Sequence, residues 1–259
     1  MASVGRYQDI FAERGARYLR ALNNYPDARA EEFAAAVASA RPEAGQLILD
    51  VPAGGGMLSR FLPPDCRVAR LECAAGFSSG EKICPHARAD GDNWPVIDQC
   101  AHQIISVAGV HHVEDKRHFF SEAWRCLLPG GTLLLAEVAA NSPVAAFLDG
   151  FVDTHNPQGH HGYYLDDLAT QQLQQAGFVI DSVQERHYPW HFASEQALVS
   201  FCSDQFGLQP LAQREFFDQL AAYLCIETDD QGGINLPWQL RHIRAIKPAG
   251  FDSAQPTGY

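Results

Sequence analysis

The stretch Leu47-Ile48-Leu49-Asp50-Val51-Pro52-Ala53-Gly54-Gly55-Gly56 decides the fold prediction. Its first half is a short apolar run of the kind that forms a buried parallel strand. Its second half is a glycine-rich turn, and glycines in this position let backbone N–H groups approach a ligand closely. The stretch therefore predicts the first strand and a binding loop of an α/β domain.

Strand and helix patterns alternate on both sides of this stretch. Apolar runs predict strands at residues 67–71, 103–107, 132–138, 178–183 and 242–246, and amphipathic patterns predict helices at 116–128 and 166–176. Residues 6–39 are predicted to be helical with a break at Pro26-Asp27, and Pro63-Pro64 should cut short the helix after the glycine loop. This alternation predicts a mostly parallel sheet that is covered on both faces.

The 259 residues fit one large domain with an insertion. We divide it into an N-terminal helical cap (1–45), a core (46–191), a helical lid insertion (192–237), and a last strand with a tail (238–259). The lid is predicted because residues 195–206 and 211–226 are helical patterns that interrupt the alternation.

Composition excludes several classes of partner. Asp and Glu number 31 against 19 Lys and Arg, a net charge of −12, so nucleic acid and anionic membranes are poor partners. No apolar run is long enough to cross a bilayer, and the charged N-terminus lacks the apolar core of a signal peptide. The seven cysteines include no C-x-x-C pair, which indicates reduced thiols and a cytoplasmic protein.

An acidic residue supports the binding loop. Glu72 lies 22 residues beyond Asp50, at the end of the second predicted strand, where a carboxylate can accept hydrogen bonds from a ribose diol. Taken alone, this arrangement fits either a dinucleotide or an adenosyl ligand. The dinucleotide fingerprint also needs a third small residue, and Ser59 matches that position only weakly.

Later motifs carry a family resemblance. Asp90-Gly91-Asp92-Asn93-Trp94-Pro95 resembles the D-A-E-x-L-P-F segment of class I S-adenosylmethionine (SAM)-dependent methyltransferases. Val110-His111-His112-Val113-Glu114-Asp115 resembles their L-H-H-V-E-D, and residues 123–131 resemble their A-L-R-V-L-K-P-G-G. The register from 90 to 137 has no gap. The chain thus resembles the type 11-like members of that superfamily, which act on small molecules.

The resemblance implies a Rossmann-like sheet of seven strands, the last one antiparallel, and SAM as cofactor with S-adenosylhomocysteine as product. Asp50 and the glycine loop would hold the amino-acid end of SAM, Glu72 the ribose, and Asp90 with Gly91 the adenine. The cofactor-binding residues implied are Asp50, Pro52, Ala53, Gly54, Gly56, Glu72, Cys73, Asp90, Gly91, Ser106, Val107 and His111.

Two positions depart from the family pattern. Pro52 stands where the family has its first glycine, and proline restricts φ and removes a donor. His102 replaces an aspartate at the start of the fourth strand, which puts local geometry or stability in question.

Three histidines are the candidate catalytic residues: His111, His112 and His161. Any of them can serve as a general base, while packing is the competing role for the adjacent pair and simple exposure for the histidines of loop 156–162. A metal site of His111, His155, His160 and Cys202 has no supporting ligand spacing, so we predict none. Five aromatic residues are candidates for lining an acceptor pocket, with packing in the core or lid as their alternative role: Tyr163, Tyr164, Tyr188, Trp190 and Phe192.

The predicted function is methyl transfer from SAM to a small-molecule acceptor by in-line displacement. An alternative is a SAM- or S-adenosylhomocysteine-binding regulatory or partner-binding protein on the same fold. A nicotinamide-dependent oxidoreductase is a third possibility, against which the His111-His112 and Pro129-Gly130-Gly131 segments speak.

Overall fold

The structure, a computed structural model, describes residues 3–78, 87–88 and 93–250. A mixed sheet forms its centre. The strands are β1 (Leu47–Asp50), β2 (Arg67–Glu72), β3 (Ala87–Arg88), β4 (Ala101–Val107), β5 (Leu127–Glu137), β6 (Val179–Phe192), β7 (Glu227–Thr228) and β8 (Ile234–Ile246). Seven of them follow the order β3-β2-β1-β4-β5-β8-β6, and the two-residue β7 pairs with β8.

Strand direction agrees with the predicted class. Strands β3, β2, β1, β4 and β5 pair in parallel, whereas β8 is antiparallel to both β5 and β6. Since parallel strands share a direction, the carboxyl ends of β1, β2 and β4 meet at one edge of the sheet. The residues that follow these strands therefore gather there, which is where ligands bind in open α/β sheets.

The helices cover the sheet and its carboxyl edge. They are α1 (Ser3–Asn24), α2 (Ala30–Ala40), α3 (Arg117–Cys126), α4 (Pro143–Phe147), α5 (Asp153–His155), α6 (Asp167–Gln175), α7 (Glu195–Gln205) and α8 (Gln213–Tyr223). A π-helical turn joins α4 to α5, and short 3₁₀ turns lie at Met57–Arg60, Ala75–Ser78 and Val110–His112. The break at Pro26 and the short helix before Pro63 are as predicted.

Two apolar clusters pack against opposite faces of the sheet. Ile48, Ile105 and Leu134 pack with α2 on one face, whereas Leu49, Ile104 and Leu133 pack with α3 on the other. This division follows from the alternation of side chains along a strand. Strands buried on both faces explain the continuous apolar runs in the sequence.

The last two long strands differ from the prediction. Strand β6 continues to Phe192 and β8 begins at Ile234, so they pair along their whole length from Val179–Ile246 to Phe192–Ile234. Residues 184–192 and 234–241, the parts of these strands that the prediction missed, do not form continuous apolar runs. The predicted strands at 178–183 and 242–246 were therefore too short. Residues 234–237, assigned to the lid, belong to β8.

Three further predictions concern the N-cap of α6, the oxidation state of the cysteines and membrane-spanning helices. The Asp166 side chain accepts hydrogen bonds from the Leu168 and Ala169 N–H groups and so caps α6, as predicted. Six cysteines in the described residues are free. No helix in the described ranges is long and apolar enough to cross a membrane.

Candidate functional site

A cavity opens at the carboxyl end of β1, and we call it the glycine-loop cavity. Gly54 and Gly56 have φ of +50° and +67°, values that favour glycine. A Cβ atom at Gly55 would lie only 2.5 Å from Cδ1 of Leu22. The loop thus needs glycine both for its conformation and for its close contact with α1.

The predicted cofactor residues surround this cavity to different degrees. Its lining includes Asp50, Pro52, Ala53, Gly54 and Val107. Gly56 follows in the same loop. Glu72 is the last residue of the neighbouring strand β2, and Cys73 comes directly after it. Ser106 is buried in β4, and His111 lines a second cavity. Asp90 and Gly91, predicted at the adenine, lie outside the described residues.

Asp50 is a buried acceptor with unused capacity. Its side chain lines the glycine-loop cavity, and its Oδ2 has no hydrogen-bond partner among the described residues. Burial raises the pKa of this carboxyl well above its usual range; the nearby charge of Arg70 opposes the shift, and that of Glu72 adds to it. An unsatisfied buried acceptor is costly, so this oxygen is suited to a ligand that donates a hydrogen bond.

Glu72 holds the glycine loop in place. Its Oε2 accepts from the Gly54 N–H at 2.8 Å and from the Tyr7 hydroxyl at 3.2 Å, and its Oε1 accepts from the Ala74 N–H at 2.8 Å. Burial raises the pKa of this carboxyl, and these hydrogen bonds oppose the rise. Glu72 therefore lies beside the glycine loop and is covered by α1 through Tyr7, and its binding of a ribose stays a prediction.

Helix α1 supplies site residues that the sequence analysis did not single out. Tyr7, Phe11 and Tyr18 line the glycine-loop cavity from the side opposite the sheet. The helix comes close because Gly15 meets Gly76, where a Cβ atom would lie 2.0 Å from the Phe11 carbonyl oxygen. The helical spacing of Phe11 and Tyr18 was visible in the sequence, but it indicated core packing, not a cavity wall.

A second cavity, which we call the histidine cavity, adjoins the first. Phe11, Tyr18 and Ala108 line both. His111, His112 and His160 are buried in its wall. Two ligand spaces that share a wall suit a reaction between two bound molecules.

Two buried or half-buried carboxylates orient two of these imidazoles. Nδ1 of His111 lies 2.8 Å from Glu137, which also accepts from the N–H groups of Gly109 and Val110. Nδ1 of His160 lies 3.0 Å from Asp149, which also accepts from the Tyr164 hydroxyl at 2.6 Å. A carboxylate at Nδ1 favours the tautomer whose Nε2 accepts a proton, as a general base requires.

Burial and neighbouring charges shift the pKa values of His160 and Glu137. It lowers the pKa of His160, with Asp149 opposing the shift and the charges of His111 and Arg14 adding to it. Burial by itself raises the pKa of Glu137, but the charge and hydrogen bond of His111 lower it overall. His160 is consequently held neutral, ready to accept a proton.

The structure places the candidate catalytic histidines differently. His111 and His112 lie in the histidine cavity, but the His161 side chain is 61% exposed and lies 4.0 Å from Asp149. Its neighbour His160 is the one buried in the cavity wall. The irregular loop has no period from which side-chain direction can be read, and a catalytic role for any of these histidines stays a prediction.

The metal group considered in the sequence is not the one that the fold assembles. His155 contacts Gln219 instead. The side-chain nitrogens of His111, His112 and His160 lie within 4.8 Å of one another, and such a set is a zinc donor set in some proteins. The Arg14 guanidinium lines the same cavity and disfavours a further cation. The absence of a metal stays a prediction.

Pro52 and His102, the two residues that depart from the family pattern, both make defined contacts in the structure. Pro52 packs against Gly109, where a Cβ atom would lie 2.3 Å from its ring. Nδ1 of His102 accepts a hydrogen bond from the Leu47 N–H at 3.1 Å, so this side chain ties β4 to the start of β1. Of the predicted aromatic residues, Trp190 lines the histidine cavity.

Comparison with known proteins supports the family resemblance. Residues 49–135 match the family model described as a methyltransferase domain. This segment is therefore similar to the class I, SAM-dependent methyltransferases that its motifs resemble. The matched segment contains the glycine loop, Glu72 and the His111-His112 pair. No curated protein matches the sequence.

Solved structures share the fold at low identity. A SAM-dependent methyltransferase from Thermotoga maritima is 16% identical, with a TM-score of 0.59 over 93% of this chain and 99% of its own. Phosphoethanolamine N-methyltransferase 2 of Haemonchus contortus, solved with phosphomonomethylethanolamine and S-adenosylhomocysteine, is 13% identical, with a TM-score of 0.52 over 84% of this chain and 52% of its own. The [4+2]-cyclase SpnF is 14% identical, with a TM-score of 0.51 over 85% and 81%.

Proposed function

We propose that the protein transfers a methyl group from SAM to a small-molecule acceptor. The observation that carries the proposal is the pair of adjoining cavities with Phe11, Tyr18 and Ala108 as their common wall. The glycine-loop cavity takes the cofactor and the histidine cavity takes the acceptor. The shared wall is then where the methyl group passes from one to the other.

The residues of the glycine-loop cavity fit SAM. The free Oδ2 of Asp50 is an acceptor for the ammonium group of the methionine end. Gly54 lines the cavity without a side chain, which leaves room for that end of the ligand, and Glu72 lies beside the loop, where the ribose diol is expected. SAM supplies an already activated methyl group on its sulfonium, so the protein mainly has to align two reactants and exclude water.

The histidine cavity supplies a base for acceptors that must lose a proton. His160 is buried and is oriented by Asp149, and His111 is oriented in the same way by Glu137. Base catalysis of this kind contributes roughly 10²–10⁴-fold to a rate. Such a base is needed for a hydroxyl or acidic carbon acceptor and is dispensable for a strong nucleophile.

Calorimetry tests the cofactor assignment first, with SAM, S-adenosylhomocysteine and NAD as ligands. We expect micromolar binding of the first two and no binding of NAD. Tight binding of NAD alone would overturn the proposal in favour of an oxidoreductase.

Turnover is then measured as methyl transfer from labelled SAM to a panel of small nucleophiles. The matched pair His160→Gln and His161→Gln separates a base from a surface histidine one residue away. We expect His160→Gln to slow methylation of a hydroxyl acceptor about 100-fold or more, and His161→Gln to leave it unchanged. SAM binding without any methylated product would support the regulatory alternative.

A further inference from the structure

Arg14 of α1 is a buried cation in the wall of the histidine cavity. Its exposed fraction is 8%, and its guanidinium packs over the Phe11 ring at 5.3 Å. One Nη2–H donates to the Gln205 carbonyl oxygen at 3.0 Å, while Nε has no hydrogen-bond partner among the described residues. Burying a guanidinium with unused donors is costly unless a ligand completes its contacts.

No carboxylate in the described part of the chain pairs with Arg14. The nearby buried and half-buried acids are each bonded by other donors: Glu32 by Arg29 and Trp190, Glu137 by His111 and two N–H groups, Asp149 by His160 and Tyr164, and Asp204 by Arg17 and Arg20. Burial lowers the pKa of Arg14 to about 10, so the side chain keeps its charge at neutral pH. Among the described residues, Arg14 is therefore a buried cation without a directly paired carboxylate.

Two more residues of the same cavity wall, Trp238 and Gln205, carry unsatisfied polar atoms. The indole N–H of Trp238 and the Oε1 of Gln205 are both buried without a partner among the described residues. Together with Nε of Arg14 they provide two donors and one acceptor. Three unsatisfied polar atoms in one wall are uncommon in native proteins and point to a ligand that satisfies them.

We infer that the acceptor is a small molecule with a carboxylate, which Arg14 binds as its counter-ion. This inference rests on the proposed function, because it names the substrate class of the histidine cavity. The two donors fit the two oxygens of one carboxylate, and Gln205 can accept from a hydroxyl or amine on the same molecule. Trp190, Trp238 and Phe206 form the apolar part of the wall, which suits an aromatic or aliphatic body.

The test uses benzoate and 4-hydroxybenzoate as carboxylate probes, with benzamide as the uncharged match and phenyl phosphate as the other anion. Binding is measured by calorimetry on the full chain, with and without S-adenosylhomocysteine. The variants are Arg14→Met, which removes the charge at similar volume, and Arg14→Lys, which keeps the charge. Arg20→Met is the matched control, since Arg20 lies on the same helix and pairs with Asp204 at the surface.

We expect the wild type to bind both carboxylates at least tenfold more tightly than benzamide and than phenyl phosphate. Arg14→Met should lose that preference, Arg14→Lys should keep part of it, and Arg20→Met should keep all of it. Equal binding of benzoate and benzamide, or an unchanged preference in Arg14→Met, would overturn the inference. Preference for phenyl phosphate would also overturn it, in favour of a phosphorylated acceptor.

The same titrations separate this inference from the proposed function. If S-adenosylhomocysteine and SAM fail to bind the wild type, the methyltransferase proposal fails, whereas Arg14-dependent binding of benzoate would still stand. If both cofactor forms bind while no carboxylate preference is found, the proposed function survives and the carboxylate acceptor is excluded. Retained S-adenosylhomocysteine binding by Arg14→Met also shows that this variant folds.

Discussion

If Glu72 binds the ribose of SAM as we propose, the Tyr7 hydroxyl competes with the cofactor for this carboxylate, and removing it should strengthen SAM binding. A carboxylate offers about four lone-pair sites. Those on Glu72 receive the N–H groups of Gly54, Cys73 and Ala74 and the hydroxyl of Tyr7. A ribose diol that binds Glu72 with both hydroxyls must therefore displace Tyr7, because the backbone bonds hold the loop itself.

The magnitude follows from the bond that is displaced. A hydrogen bond contributes about 0.5–1.5 kcal/mol net. Tyr7→Phe removes that competing bond, so SAM should bind about 2- to 12-fold more tightly. Glu72→Gln removes the charge and one accepting oxygen, and bonds to charged groups are worth about 1.5–3 kcal/mol, so SAM should bind about 10- to 150-fold more weakly.

The assay is calorimetry with SAM and S-adenosylhomocysteine at one pH, with urea denaturation as a check that each variant folds. Tyr25→Phe is the control, because Tyr25 packs against Phe192 and Phe201 away from the glycine loop. It should leave affinity unchanged. Weaker or unchanged binding of SAM by Tyr7→Phe would refute the competition, and unchanged binding by Glu72→Gln would show that the ribose does not bind this carboxylate.

Two other side chains give predictions that need no known acceptor. In Glu137→Gln, the new amide should donate a hydrogen bond to Nδ1 of His111, so that the imidazole proton moves to Nε2. ¹⁵N NMR of the imidazole reports this tautomer. An unchanged tautomer would contradict the orienting role of Glu137. Burial lowers the pKa of His242 from 6.5 to about 4. As the pH drops from 6.5 to 4, His242 becomes protonated in the unfolded chain before it does so in the folded protein, and the free energy of unfolding therefore falls. His242→Gln should remove up to about 3 kcal/mol of that fall; urea denaturation at several pH values measures it, and parallel pH profiles of the two proteins would contradict it.

Local patterns were sufficient for much of the fold and for half of the site. The apolar run before Asp50 and the three glycines predict a strand and a tight loop because each depends on neighbouring residues alone. The same holds for the Asp166 cap and for the short helix before Pro63. The long outer halves of β6 and β8 were missed because their residues alternate and are stabilised by pairing with each other across some fifty residues of chain.

The sequence by itself determined the parallel α/β class, the methyltransferase resemblance, and the loop with its two carboxylates Asp50 and Glu72. Tertiary structure alone decided which side chains meet at the site: Tyr7 reaches Glu72 across 65 residues, and Arg14 reaches Gln205 across 191. It also decided that His160, not His161, enters the histidine cavity. The physical reason is that strand and turn preferences act between neighbours in sequence, whereas cavity walls, unsatisfied donors and buried charge arise only when distant elements pack together.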